Sequence, residues 1–199
     1  MNSTELHRSV LVLAILTSAC VALLGQQLPP GEIERWNRIY KEEPDRIRWE
    51  PNEFLVSVAA KLKPGEALDV AMGQGRNSLY LARQGWNVTG FDLSDVGVER
   101  ALDRAKGENL RLNATVADLQ SFDYGRERFD LIVLCYVGNI KGVERRLQDA
   151  LRPGGVLLIE HFAGGFAPAS LPVLFDSLEV LQHSVVPAYP DFSRSNLVS

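Results

Sequence analysis

The stretch ALDVAMGQGRNSLYLARQGWNVTGFDLS, residues 67–94, constrains this chain more than any other. A short apolar run ends in an acid, a glycine-bearing loop follows, then a segment of helical period, then a second run closed by another acid. Strand, turn, helix and strand in that order form one unit of a parallel sheet. The rest of the chain repeats the unit. Residues 67–71, 86–92, 110–118, 129–137, 156–162 and 178–186 read as strands, with helices predicted over 77–84, 96–106 and 141–151 and two more upstream at 33–40 and 51–62. The strands are apolar on both faces, so the sheet is covered by helices on both sides: one doubly wound α/β domain, residues 28–199. Ligands of such sheets bind beyond the carboxyl ends of the strands, where strand order reverses.

Charge narrows the partners. Net charge is −4 with no basic run or tail, which gives nucleic acid nothing to hold and leaves small molecules as ligands. Cysteine narrows the architecture, because Cys20 and Cys135 cannot build a disulfide framework.

Residues 1–27 are set apart from this domain. After Arg8 runs an uncharged apolar segment from Val10 to Gly25, longer than most secretory cores and shorter than a comfortable membrane span. It reads as an export signal or as an uncleaved membrane anchor through residues 10–25. Arg35, Arg38 and Lys41 downstream favour a cytoplasm-facing domain if the segment stays, whereas cleavage would send the domain out to the periplasm.

The glycine loop decides which ligand to expect. No Gly-Lys-Ser/Thr ending is present, so the loop is not a nucleotide P-loop. Gly73-x-Gly75 with Asp92 after the next strand half-matches a dinucleotide fingerprint, but Ser78 stands where the third glycine belongs. Asp69 is the telling residue. A carboxylate before the loop would repel a pyrophosphate and stabilise a cationic amine. Both features argue against an NAD-dependent short-chain oxidoreductase.

Residues 67–94 resemble the first two motifs of the class I S-adenosylmethionine-dependent methyltransferases, and within them the small-molecule group of tellurite-resistance and thiopurine methyltransferases, whose loops commonly read D-x-G-C-G-x-G-R-N. VADLQSF, FDLIVLCYV and LRPGGVLLIEHF fall where that fold places its third to fifth strands. The resemblance implies S-adenosylmethionine as cofactor and a small-molecule methyl acceptor, with thiol or chalcogen acceptors favoured. It implies that Asp69 holds the methionine amine and that Gly73 and Gly75, with Asn77 in the same loop motif, let backbone pass under the cofactor. Asp92 would accept from both ribose hydroxyls, Leu93 would pack the adenine face, and Asp118 with Leu119 would reach its edge. Tyr40 would close over the site from the N-terminal segment. Each acid has a plainer alternative, since Asp69 and Asp92 can cap helices and Asp118 can start a turn.

Two departures from the family pattern stand out. Ala71 occupies a usual glycine, at a cost of about 1 kcal/mol or more if its φ is positive. The chain also shows no segment for the antiparallel strand with which the family closes its sheet, so the sheet is expected to lack it, as in a truncated or non-catalytic relative. Methyl transfer from a sulfonium needs mainly alignment and desolvation, which suits a chain without a visible triad or metal cluster. The acceptor-side candidates are Tyr136 and Asn139 after the fourth predicted strand and Glu160 and His161 at the end of the fifth, with His161 and Tyr136 the leading catalytic candidates.

Overall fold

A computed structural model of the chain describes residues 10–16, 31–42, 47–162 and 171–186. Strand β1 (Val10–Leu16) comes first, then helices α1 (Glu32–Glu42) and α2 (Glu53–Ala59). The alternation anticipated from the sequence follows: β2 (Glu66–Val70), α3 (Arg76–Arg83), β3 (Asn87–Asp92), α4 (Asp95–Gly107), β4 (Leu112–Val116), β5 (Phe129–Cys135), α5 (Glu144–Ala150) and β6 (Leu151–Phe162). A short α6 (Leu171–Leu174) and β7 (Glu179–Val186) complete the described elements. Asn52, not Pro51, opens α2: its side-chain oxygen accepts from the Leu55 amide at 2.9 Å.

The strands form one sheet in the order β4-β3-β2-β5-β6-β1-β7, parallel at every described pairing. Strand alternation explains the double cover. On β5, Ile132 and Leu134 join an apolar layer with Phe91, Phe122, Tyr124 and Leu147, while Leu131 and Val133 join the opposite layer with Leu55, Leu81 and Trp86. Each such buried side chain contributes about 1.5–3 kcal/mol relative to exposure. The chain winds from β2 outward to β4, then returns to β5 beside β2 and winds the other way. The crevice between the carboxyl ends of β2 and β5 is thus the switch point.

β1 is the element that the sequence did not place. Seven residues of the apolar run, expected to export or anchor the chain, lie between β6 and β7, with Val10–Leu16 in register with Val156–Phe162. An unbroken run of Val, Leu, Ala and Ile suits the interior position of a parallel sheet. No antiparallel pairing occurs among the described residues, yet β1 brings the sheet to seven strands. Residues 17–30, the rest of the predicted signal or anchor, lie outside the described residues. No helix among the described residues is long and apolar enough to cross a membrane.

Candidate functional site

The loop leaving β2 is built from left-handed backbone. Ala71, Gly73 and Gly75 have φ of +53°, +57° and +83°. The glycines have a second reason to be there: a Cβ at Gly75 would sit 2.7 Å from the Ala101 Cβ, and one at Gly73 would strike the Tyr40 hydroxyl. Ala71 has no such excuse. Its positive φ costs about 1–2 kcal/mol, the dearer of the two outcomes open to that position.

Two buried carboxylates flank the loop. Asp69, 2% exposed, accepts from the Ser78 hydroxyl at 2.6 Å. Burial pushes its pKa up to about 6, with the Ser78 hydrogen bond and the Arg76 charge opposing that rise. Asp92 accepts from the Gly73 amide on one oxygen and the Ser94 amide on the other, each at 2.8 Å. Its pKa too is raised by burial and held back by these backbone donors. A carboxylate offers about four lone-pair directions, so acceptor capacity remains for hydroxyls. Gln74, between the two glycines, adds a buried carbonyl oxygen with no hydrogen-bond partner, while its amide nitrogen donates to the Ile47 carbonyl at 3.2 Å.

Helix α1 lies over this loop. Asn37 donates to Asp95 at 2.6 Å and accepts from Ser94 at 2.5 Å, and Arg100 donates to the Tyr40 carbonyl. Trp36 stacks on Tyr40 with ring centroids 5.6 Å apart, as their spacing on one helix face predicts. Tyr40 is 6% exposed, and burial first and the Asp92 charge second raise its hydroxyl pKa well above the ordinary value.

Across the switch point, the end of β5 meets the end of β6. Tyr136 has φ of +59°, donates its amide to the Glu160 carbonyl at 2.8 Å and gives its hydroxyl to the Glu160 carboxylate. Glu160, 4% exposed, also accepts from the Asn52 side-chain amide at 2.8 Å. The Asn52 backbone amide in turn donates to Asn77 at 2.9 Å, which ties this network to the first turn of α3.

Residues 67–155 match a family described as Methyltransferase domain. The probable S-adenosyl-L-methionine-dependent methyltransferase TehB of Haemophilus influenzae is 27% identical over 132 residues, spanning 63% of this chain and 46% of that protein. An S-adenosyl-L-methionine-dependent methyltransferase of Geobacter sulfurreducens, solved with S-adenosyl-L-homocysteine, superposes with a TM-score of 0.51 at 25% identity, covering 62% of this chain and 54% of that one. A protein solved in connection with the conversion of a disulfide bond into a thioacetal group during echinomycin biosynthesis superposes with a TM-score of 0.55 at 30% identity, covering 63% and 60%. Residues 67–155, somewhat under half of the chain, thus resemble a methyltransferase domain, on a sheet of the class I methyltransferase fold. The chain spans about half the length of the curated relative named above.

The structure gathers Tyr40, Asp69, Gly73, Gly75, Asn77 and Asp92 around one loop. Leu93 follows Asp92, half-buried. Asp118 stands at the end of β4 as expected, but its carboxylate accepts from the Gln120 and Ser121 amides at 2.7 Å each, which makes it a turn cap and lowers its pKa. Leu119 packs on the apolar layer, and its carbonyl accepts from Tyr124 at 3.1 Å. His161 follows Glu160 on β6, so strand alternation turns it to the other face of the sheet. Of the two leading catalytic candidates, only Tyr136 thus joins the Glu160 network described here. Sequence reasoning missed two groups. Ser78, noticed only as an absent glycine, steadies Asp69; its position one turn into α3 was the available signal. Asn52 looked like an ordinary helix start, and nothing local marks its link to Glu160, which lies 108 residues away.

Proposed function

We propose that this domain binds S-adenosylmethionine at the glycine loop and transfers its methyl group to a small-molecule acceptor. The observation that carries the reading is the pair of buried acids, Asp69 and Asp92, on either side of a loop whose Gly73 and Gly75 leave backbone open where side chains would intrude. These residues fit the cofactor. Asp69 suits its ammonium group and Asp92 its ribose hydroxyls, the orphaned Gln74 oxygen offers one more acceptor, and Tyr40 covers the loop. Bound there, the cofactor supplies a methyl group already activated on sulfonium sulfur. The chain has only to align the acceptor and exclude water. Similarity to the protein solved in connection with conversion of a disulfide bond into a thioacetal group supports a soft, sulfur-type acceptor. Cofactor supply argues for a domain facing the cytoplasm.

Titration calorimetry on the full chain tests this. Wild type should bind S-adenosylmethionine with micromolar affinity, and Asp92→Ala should weaken it by about 100-fold, the loss of two charge-assisted hydrogen bonds. Asp92→Asn, which keeps one acceptor oxygen, should fall between. A well-folded wild type that gives no binding heat sinks the reading. It would favour instead a non-catalytic relative, a reading to which the positive φ of Ala71 gives a structural ground.

A further inference from the structure

The network joining β5 to β6 is more elaborate than packing demands. Tyr136 adopts a left-handed backbone that is unfavourable for a bulky residue, and it is pinned there by its amide and its hydroxyl, both given to Glu160. Glu160 is a carboxylate buried at a strand end, where an apolar residue of similar volume would cost less. Strain and buried charge together, at the carboxyl ends of strands flanking the switch point, mark a functional arrangement more often than a structural one. Tyr136 is half-buried and Glu160 buried, so Tyr136 is the more exposed residue of the pair.

We propose that Tyr136 and Glu160 hold the methyl acceptor and take its proton, and that the acceptor is therefore a neutral weak acid, a thiol or a phenol, rather than a preformed oxyanion. This rests on the cofactor reading above and narrows its acceptor class. In the transfer, an acceptor lone pair forms the new bond to the methyl carbon while the methyl–sulfonium bond breaks and its electron pair returns to sulfur. The proton the acceptor sheds passes to the Tyr136 oxygen as the hydroxyl proton of Tyr136 passes to Glu160. The acceptor atom becomes strongly acidic as the methyl bond forms on it, so a proton that free thiols and phenols release only near about 8.5 and 10 can leave for Tyr136 and Glu160 within the transfer. An oxyanion brings no proton for the pair to take, and it carries negative charge toward Glu160 with Asp69 and Asp92 across the crevice. Charged and titratable groups nearby among the described residues include Arg76 on α3, whose guanidinium donates to the Glu50 carbonyl at 3.1 Å, Cys135 before Tyr136, and His161 after Glu160.

The test uses the full chain with 2-mercaptoethanol as the thiol probe and selenite as the oxyanion probe. Calorimetry with S-adenosylmethionine and a thermal melt run beside the rate measurements. Tyr136→Phe and Glu160→Gln should each lower thiol methylation at neutral pH by about 100-fold, in kcat more than in KM, while cofactor affinity stays within about threefold. Raising the pH until the thiol arrives as thiolate should recover most of the lost rate. Tyr136→Phe removes a single oxygen and keeps the proposal falsifiable should Glu160→Gln fail to fold. Wild type that binds cofactor but leaves the thiol unmethylated overturns the proposal, as does methylation of selenite. Variants that keep the wild-type rate also overturn it, and so does a rate loss that high pH does not repair. Absence of cofactor binding in folded wild type is a different result: it removes the cofactor reading itself.

Discussion

The two sides of the switch point are built in opposite ways. On the β2–β3 side, Asp69, Gly73, Gly75, Ser78 and Asp92 lie within one short stretch of sequence, and their contacts with one another close locally. On the β5–β6 side, Asn52, Asn77, Tyr136 and Glu160 come together only through the completed sheet, from segments as far apart as 108 residues. The side proposed to hold the cofactor is written as a motif, whereas the side proposed to hold the acceptor is written as a tertiary structure. Cofactor chemistry can therefore be read from a fragment, and acceptor chemistry requires the whole fold.

The sharpest way to break this contrast is to damage the far side of the sheet. Leu13→Pro would remove a backbone donor from a strand paired on both sides, with Ile159 and with His183. It should cost about 3 kcal/mol or more, read as a drop in denaturation midpoint. If the domain then melts as one unit and loses cofactor binding too, the local motif depends on the distant half after all.

Next in size is an effect confined to the cofactor side. Burial raises the Asp69 pKa to about 6 from 3.8, so between those values the folded state binds a proton that the unfolded chain has released. The stability tied to this group is full below about pH 4 and is lost as pH rises through 6, by roughly 3 kcal/mol at most. Affinity for the cationic amine should run the other way, falling about tenfold per pH unit below 6 and levelling off above about 7. Ser78→Ala should move that break to higher pH, since the serine hydrogen bond holds the pKa down. A pH-independent affinity would separate Asp69 from the cofactor. The smallest effect is expected from Ala71→Gly, which relieves the left-handed strain but gives the unfolded chain more freedom. A net gain of about 0.5–1 kcal/mol should raise the Tm by about 2 °C and tighten cofactor binding.

What the sequence made legible follows the same division. The strand–helix alternation and the glycine loop were readable because their signals are periodic or contiguous. Asp92 and Asp69 were readable because each ends a strand beside that loop. Asp118 was placed correctly at its strand end, yet its present use as a turn cap depends on the Gln120 and Ser121 amides, whose geometry no spacing rule supplies. The sequence named Glu160 near the transfer end, but its hydrogen bond to Tyr136 exists only once β5 and β6 have paired, and that to Asn52 only once α2 has docked. β1 was illegible for another reason. Apolarity says that a segment leaves water and does not say whether it enters lipid or a sheet.

The position of β1 carries a consequence for how the chain is made. Its residues emerge from the ribosome ahead of both strands that will flank it, and β7 begins only at Glu179. At about 5–20 residues per second, the wait for that second neighbour is roughly 10–30 s. Until β6 is made the VLVLAIL segment is an unpaired apolar strand of the growing chain, and until β7 is made it keeps an open edge, accessible to any chaperone or targeting factor that binds such segments. Its destination is then settled by a race between capture and the completion of the strands that would enclose it.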